Sequence, residues 1–266
     1  MREVLIGSLV EYIELIDGLA EGAACFRGAK DPVADMRPTV ARSWQRNRQI
    51  RRQRDGRTRL ALWQYEARLI EAFQRRSLPF LENVPDCHLN WLAVAQHHQL
   101  PTRLLDWSRN PLVALYFAAT DRNQHDSGDG WEDVYVFVWQ LGSMFDIDEH
   151  VLPLRRVHAM RPADHGLIAD DEPRSQAGIV LFSPPMISSR FASQEGLFSF
   201  EQELSDRSFT EAADEGGLAL TRITVPGDAR LPILRQLDRL GIETEKLFPD
   251  LPGLCAHQRW VAEWLW

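Results

Sequence analysis

Apolar residues recur every three or four positions in several stretches of the chain, and this spacing predicts amphipathic helices. The first stretch covers residues 4–17 and is followed by Gly18, a common helix stop. Asn110-Pro111 is a polar cap followed by proline, which is typical of a helix start. The predicted helices are 4–17, 62–76, 91–98 with Asn90 as the N-cap, 112–119, 232–240 beginning at Pro232, and 244–248 with Thr244 as the N-cap.

Shorter segments rich in β-branched and aromatic residues predict strands. The segment 134–139 is apolar at every position, which indicates a strand covered on both faces and therefore central in a sheet. Strands are predicted at 24–28, 103–107, 134–139, 179–182, 196–200 and 219–225, and the polar stretch 161–175 is predicted to be a loop. Helices dominate the first half and strands the second, which favours an α+β fold over a parallel α/β fold.

No repeat or linker divides the chain, so we expect residues 1–266 to form a single domain. The helix within residues 1–20 either packs on that domain or binds a partner, and the sequence leaves both alternatives open. The composition is ordinary for a globular protein, with 44% hydrophobic and 26% charged residues. Because no apolar run approaches the length of a membrane span and Glu3 comes early, neither a membrane segment nor a signal peptide is predicted.

Three cysteines without ligand-like spacing are typical of reduced thiols in a cytoplasmic protein. No metal site is predicted, because the following histidines have no partner at metal-ligand spacing: His125, His150, His158, His165 and His257. We therefore expect a soluble cytoplasmic protein that needs no metal.

Positive charge is concentrated between Arg42 and Arg59, although the net charge of the chain is −8. Eight arginines fall in this segment against one acid, Asp55. One interpretation is a solvated helix face or loop. The other is a contact with phosphate groups or nucleic acid.

Polar residues are unusually dense around residues 96–106. Gln96, His97 and His98 end a predicted helix, and Thr102, Arg103 and Asp106 follow within eight residues of His98. A histidine at a helix end can exchange protons near neutral pH, and an aspartate can fix its tautomer. Alternatively, Asp106 is structural, as a cap of the next helix or as a partner of Arg103.

Two further segments contribute candidates. Arg27 lies on a predicted strand ending in Gly28, where a backbone or a ligand can approach closely, and its planar guanidinium suits a phosphate or carboxylate. Arg190 and Gln194 precede the strand at 196–200, and Glu201 and Glu203 follow it. Glu203 is either a catalytic carboxylate or an exposed acid after a strand.

Three motifs together resemble the FRG domain family: Phe26-Arg27-Gly28, the block from Gln96 through Leu100-Pro101-Thr102-Arg103-Leu104-Leu105-Asp106-Trp107, and Asn110-Pro111-Leu112-Val113-Ala114-Leu115-Tyr116-Phe117-Ala118. The resemblance continues in Gln194-Glu195-Gly196-Leu197-Phe198 and in Leu240-Gly241-Ile242-Glu243 with Leu247-Phe248-Pro249-Asp250-Leu251. It departs at Gln99, where the family usually has glycine. The family implies a bacterial or phage protein associated with toxin–antitoxin or phage-defence systems, with an antitoxin or defence protein as partner.

A more distant similarity connects these motifs to ADP-ribosyltransferases, which use NAD as substrate. Arg27-Gly28 is similar to the arginine-bearing strand of their NAD site, and Leu105-Asp106-Trp107-Ser108 with the helix after it is similar to their strand–turn–helix unit. The resemblance implies a helical N-terminal half packed on a mostly antiparallel, ADP-ribosyltransferase-like β core, with helices at the C-terminus. Where the late glutamate is expected this chain has Gly196, so Glu195, Glu201 or Glu203 would have to replace it.

The resemblance thus implies an NAD-dependent ADP-ribosyltransferase or NAD glycohydrolase. Its implied catalytic residues are His97, Asp106, Gln194, Glu201 and Glu203, and its implied NAD-binding residues are Arg27, Gly28, Arg103, Trp107, Ser108 and Arg190. Two alternatives stay open at this point. One is a metal-independent nuclease with His97 as base and the Arg42–Arg59 segment as a phosphate contact. The other is a protein-binding module without catalysis.

Overall fold

A computed structural model describes residues 1–19, 22–55, 60–120, 131–142, 147–152, 178–184 and 189–264. Seven of its strands form one sheet in the order β1-β7-β4-β2-β3-β6-β5. The strands are β1 (Arg2–Leu5), β2 (Ala23–Ala29), β3 (Leu105–Ser108), β4 (Val134–Gly142), β5 (Ile179–Phe182), β6 (Gly196–Glu201) and β7 (Ala219–Val225). Every neighbouring pair within this sheet is antiparallel except β1 with β7, so the mixed, mostly antiparallel fold class is confirmed.

Helices lie in most of the segments between the strands and end the described chain. They are α1 (Leu9–Leu19), α2 (Thr39–Asp55), α3 (Leu62–Ser77), α4 (His88–His97), α5 (Pro111–Ala119), α6 (Ser189–Ser193), α7 (Phe209–Glu215), α8 (Gly227–Arg239), α9 (Thr244–Leu247) and α10 (Leu251–Trp264). Short 3₁₀ turns lie at Leu78–Phe80 and Ile147–His150. No helix in the described part of the chain is long and apolar enough to cross a membrane.

The central position predicted for the 134–139 strand is confirmed. β4 lies between β7 and β2, and Val136, Phe137 and Val138 have no exposed surface. On one face, Val136 and Val138 pack in a cluster with residues of α5 and α8, including Val113 and Leu237. Side chains on the other face belong to a second cluster that contains Phe137, Trp139 and Phe209. This arrangement explains why the strand sequence is apolar throughout.

Helix α5 lies unusually close to β2 because Gly28 has no side chain. A Cβ atom at Gly28 would be 2.3 Å from the carbonyl oxygen of Ala114 and 2.5 Å from the amide nitrogen of Ala118. The predicted cap of α5 is confirmed, since the Asn110 side-chain oxygen accepts hydrogen bonds from the amides of Leu112 and Val113. The close approach that the sequence indicates at Gly28 is therefore one of backbone to backbone.

The sheet has a weak seam between β2 and β3. All seven residues of β2 pair with β4, whereas only Phe26 of β2 pairs with β3, opposite Ser108. The two strands therefore diverge after one pair, and the backbone groups beyond it need other partners.

Several predicted boundaries are wrong. The helix predicted over 4–17 begins only at Leu9, because residues 2–5 form β1, a four-residue edge strand whose short, mostly exposed sequence carries little periodic signal. Asn90 does not cap α4; it lies inside that helix and donates from Nδ2 to the Asp86 carboxylate at 2.7 Å. Helix α8 begins at Gly227, so Pro232 is internal, and α10 was not predicted.

Two predictions fall partly or wholly outside the described residues. The loop at 161–175 is among them, and so is the end of the arginine-rich segment beyond residue 55. The part of that segment within α2 is helical, with Arg46, Arg48, Arg51 and Arg52 exposed.

Candidate active site at the seam of the sheet

A cavity of about 420 Å³ opens at the seam, lined by β2, β3, the start of β6, α5, α6 and the end of α4. Its walls combine aromatic rings with charged and amide side chains, an arrangement common in ligand sites. The polar side chains that line it are Arg27, Lys30, Asp35, Gln96, His97, Gln99, Asp106, Ser108, Arg190 and Gln194.

Arg27 bridges the seam where the strand ladder stops. Its Nη1 donates to the Asp106 carbonyl oxygen at 2.5 Å, and its Nη2 donates to the Asp35 carbonyl oxygen at 2.9 Å. The Asp106 carboxylate oxygen Oδ2 lies 3.7 Å from Nη1. Burial lowers the pKa of Arg27, and the charges of Asp106 and Asp35 oppose that shift. The guanidinium thus replaces missing ladder bonds and brings positive charge to the cavity.

Asp106 presents its carboxylate to the cavity on the opposite side of the seam. The side chain is 60% exposed, whereas Leu105 and Trp107, its neighbours on β3, are buried, as the alternation of a strand requires. Gln96 at the end of α4 donates from Nε2 to Asp106 Oδ2 at 2.9 Å. The Gln96 amide is itself fixed, because its Oε1 accepts from the Thr102 hydroxyl at 2.7 Å. A relay of polar side chains therefore orients a solvent-facing carboxylate.

His97 and Arg190 lie together on the cavity wall. Burial, followed by the nearby charges of His98 and Arg190, lowers the pKa of His97. The guanidinium of Arg190 stacks on the Phe248 ring at 4.3 Å from its centroid. Near neutral pH His97 is therefore an uncharged imidazole, which can accept a proton.

The turn after α4 places Gln99 at the cavity. The Leu100 amide bonds to the Ala95 carbonyl and the Gln99 amide bonds to the Gln96 carbonyl, which is the Schellman pattern of helix ends. Gln99 has a φ of +65°, a conformation that favours glycine. Gln99 therefore keeps the glycine-type turn expected at this position.

Residues 22–127 match the family model described as the FRG domain. This segment is therefore similar to the FRG domain. No curated protein and no solved structure matches the chain. The matched region supplies Arg27, His97 and Asp106, and the cavity is completed by residues 190–198 outside it.

Most of the residues predicted for the site line the cavity, although several have structural bonds there. Ser108 donates its hydroxyl to the Gln194 carbonyl, and Gln194 donates from Nε2 to the Leu247 carbonyl at 3.0 Å. The Trp107 indole points away from Asp106 into the core and donates to the Ser199 hydroxyl. The predicted members that line the cavity are Arg27, Gly28, His97, Asp106, Trp107, Ser108, Arg190 and Gln194.

Arg103, Glu201 and Glu203 do not line this cavity. Arg103 is buried against Glu66, with 2.7 Å from Nε to Oε2. Glu201 bonds to Ser205 and Arg207, and burial raises its pKa. It ends β6, about 17 Å along the strand from Gly196 at the cavity, because a strand rises about 3.3 Å per residue.

Two site residues were not among the predicted set. Asp35 holds Arg27 through its backbone carbonyl, and its carboxylate accepts from the amides of Lys30 and Asp31. Gln96 orients Asp106. The sequence offers two signals for these residues. An acidic residue lies in the loop just after the Arg27-Gly28 strand, and a polar residue lies about one helical turn before Pro101.

Proposed function

We propose that the seam cavity binds NAD and that the protein is an ADP-ribosyltransferase-like enzyme acting as a toxin or phage-defence effector. The observation that carries the proposal is the placement of Arg27 and Asp106 on facing strands at a split in a mostly antiparallel sheet. A mostly shielded cation and an exposed carboxylate at one opening suit a ligand that has both phosphates and a ribose at which positive charge develops.

Each group has a task that matches its surroundings. Arg27 and Arg190 attract the diphosphate, and Phe117 and Phe198 form an apolar wall that limits the access of water. As the bond between nicotinamide and ribose C1′ breaks, its electron pair leaves with the nicotinamide. Asp106 stabilises the cationic sugar until the acceptor nucleophile bonds to C1′ and gives up its proton. The uncharged His97 receives that proton.

In this proposal Asp106 has the role of the late glutamate of ADP-ribosyltransferases, where this chain has Gly196. Glu195 is exposed, and its Oε1 accepts from the side-chain amide of Asn110 at 3.1 Å. Glu201 is held by Arg207, and neither Glu201 nor Glu203 lines the cavity. Of the two cavity carboxylates, Asp35 is occupied by the amides of Lys30 and Asp31 and by Arg42, whereas Asp106 is oriented by Gln96 and stays mostly exposed.

The test is incubation of the full chain with NAD labelled in the adenylate part, together with protein extract, DNA and RNA, while nicotinamide release is measured. We expect turnover that falls about 100-fold in Asp106→Asn, a typical loss when one transition-state electrostatic contact is removed. Glu14→Gln, an exposed carboxylate on α1, serves as the matched control and should keep full turnover. No turnover with any acceptor and no NAD-induced rise in melting temperature would refute the proposal.

Growth arrest on expression provides a second readout, because toxicity that depends on catalysis disappears in Asp106→Asn. A folded Asp106→Asn variant that remains as toxic as the wild type would point instead to a binding module neutralised by a partner protein.

A second candidate function, nucleic-acid processing, is favoured by the exposed arginines of α2. Arg42 at the start of this helix lies 3.4 Å from the carboxylate of Asp35, which lines the cavity, so the basic helix begins beside the site. Hydrolysis of RNA or DNA without NAD, with affinity falling steeply as salt is added, would support it. The double variant Arg48→Gln/Arg52→Gln should then weaken the binding of nucleic acid.

A further inference from the structure

Three side chains of metal-ligand type converge near the C-terminus, away from the seam. Asp238 is at the end of α8, Glu243 immediately precedes α9, and His257 is on α10. One ligand atom from each lies within 4.8 Å of the others. The sequence prediction of no metal partner for His257 missed this cluster, because helix packing and not spacing along the chain brings the three together.

The separations within the cluster are longer than hydrogen bonds. His257 Nε2 lies 3.5 Å from Glu243 Oε2, and His257 Nδ1 lies 3.8 Å from Asp238 Oδ1. Hydrogen bonds between N–H and oxygen are usually about 2.7–3.2 Å long. Two ligands that are each about 2.1 Å from a tetrahedral ion lie about 3.4 Å apart, which is close to the first of these separations.

Unsatisfied buried atoms surround a small void at the same place. Asp238 Oδ1 and Thr120 Oγ1 are buried without a hydrogen-bond partner among the described residues. Both residues, with Glu243 and His257, line a cavity of about 30 Å³, and His257 is only 8% exposed. Such a void has room for a single ion or water and for nothing larger.

We infer that Asp238, Glu243 and His257 bind one divalent transition-metal ion, of which zinc is the expected type. A histidine with two carboxylates suits zinc or manganese, whereas magnesium and calcium favour oxygen ligands alone. His257 would bind the ion through only one of its imidazole nitrogens, so each of the three residues supplies one ligand atom. Lys246 lies on the solvent side, with Nζ 2.9 Å from Glu243 Oε1, and Glu243 retains Oε2 for the ion.

Such an ion would fasten α8, α9 and α10 together behind the seam cavity. The link to that cavity is direct, because the Leu247 carbonyl at the end of α9 accepts from Gln194 and the ring of Phe248 supports Arg190. The inference is therefore a structural metal site, and it does not depend on the reaction at the seam.

The test uses the full chain after treatment with a chelator and desalting. Calorimetric titrations with ZnCl₂, MnCl₂ and MgCl₂ should give one zinc ion per chain, weaker manganese binding and no magnesium binding, and zinc should raise the melting temperature. Asp238→Asn and His257→Gln should each weaken zinc binding at least tenfold. Glu245→Gln, a neighbouring exposed carboxylate on α9, should bind zinc like the wild type.

Two results would overturn the inference. One is the absence of stoichiometric zinc binding in the wild-type chain, which needs no variant to fold and would leave water or a proton to satisfy the cluster. The other is equal zinc uptake by the wild type, Asp238→Asn and His257→Gln, which would place the bound ion elsewhere on the chain.

Discussion

Arg103 and Asp106 are close in the sequence, and each belongs to an arginine–carboxylate pair. The surroundings of these two pairs are opposite. Arg103 and Glu66 are 9% and 2% exposed, and Glu66 accepts from both the Arg103 guanidinium and its backbone amide. Arg27 and Asp106 are 13% and 60% exposed, and the Arg27 guanidinium donates mainly to backbone carbonyls. Both arginine side chains are mostly shielded from water, so the exposure of the carboxylate distinguishes the two pairs.

The difference separates a structural pair from a candidate site. Glu66 has its oxygens occupied by Arg103 and its charge removed from water, so it can only hold the chain in place. Asp106 is oriented by Gln96 and remains accessible from the cavity, so it can meet a ligand. The sequence prediction grouped Arg103 with Arg27 because both are arginines in conspicuous motifs. The two differ in their carboxylate partners, since Glu66 is buried and Asp106 is exposed.

The largest expected effect comes from breaking the buried pair. Glu66→Ala should lower the free energy of unfolding by about 3–5 kcal/mol, because it leaves the Arg103 charge buried without its partner. Glu71→Ala on the same helix breaks an exposed pair with Arg75 and should cost only about 0.2–0.5 kcal/mol. Urea denaturation of both variants measures the contrast. Similar losses in the two would contradict a structural role specific to Glu66.

Opening the seam pair should cost much less stability. Asp106→Asn should lower the free energy of unfolding by about 1 kcal/mol or less, since the carboxylate is mostly exposed and Arg27 keeps its two backbone acceptors. The same denaturation measurement applies. A loss as large as that of Glu66→Ala would make Asp106 a structural residue like Glu66 and would remove the contrast.

A gain in stability is expected at the cavity turn. Gln99→Gly should raise the free energy of unfolding by about 0.5–1 kcal/mol, because relief of a left-handed conformation worth about 1–2 kcal/mol exceeds the added flexibility of the unfolded chain. Thermal unfolding would register the change. Gln96→Gly, inside the helix one turn earlier, should instead destabilise the protein, and a loss in both variants would contradict strain at Gln99.

The smallest expected effect is the pH dependence of stability that comes from His97 on the cavity wall. Because the pKa of His97 is lowered below its ordinary value of about 6.5, the unfolded chain binds this proton first as the pH falls. Stability should therefore rise with pH between the folded pKa and about 6.5, and His97→Asn should remove that part of the slope. NMR titration of the imidazole gives the pKa directly. His98→Asn should move it part of the way back, whereas a value above 6.5 would contradict the burial argument.

Local sequence signals predicted much of this fold because they depend on nearby residues. The Asn110-Pro111 cap and the central β4 strand needed only adjacent chemistry and an unbroken apolar run. The order of strands and the splay of β2 from β3 depend on pairings between distant residues, which periodicity does not encode. For the same reason the partner of Arg103 and the grouping of Asp238 with His257 could not be predicted.

The candidate site was predicted only in part. Arg27, His97 and Asp106 belong to compact motifs, and the fold brings them to one cavity. Glu201 was chosen for its place after a strand, but strand length carries it away from the seam. Asp35 acts through its backbone carbonyl, a contribution that residue type does not reveal.

The seam also divides the sheet into two groups of strands, and neither group is consecutive along the chain. Strands β1, β7, β4 and β2 lie on one side and β3, β6 and β5 on the other, so the path along the chain crosses the seam between β2 and β3, β3 and β4, β4 and β5, and β6 and β7. Because neither side is a continuous segment, no single cut can yield two fragments that each hold one side. Both sides must assemble together from distant segments, which is a topology that slows folding.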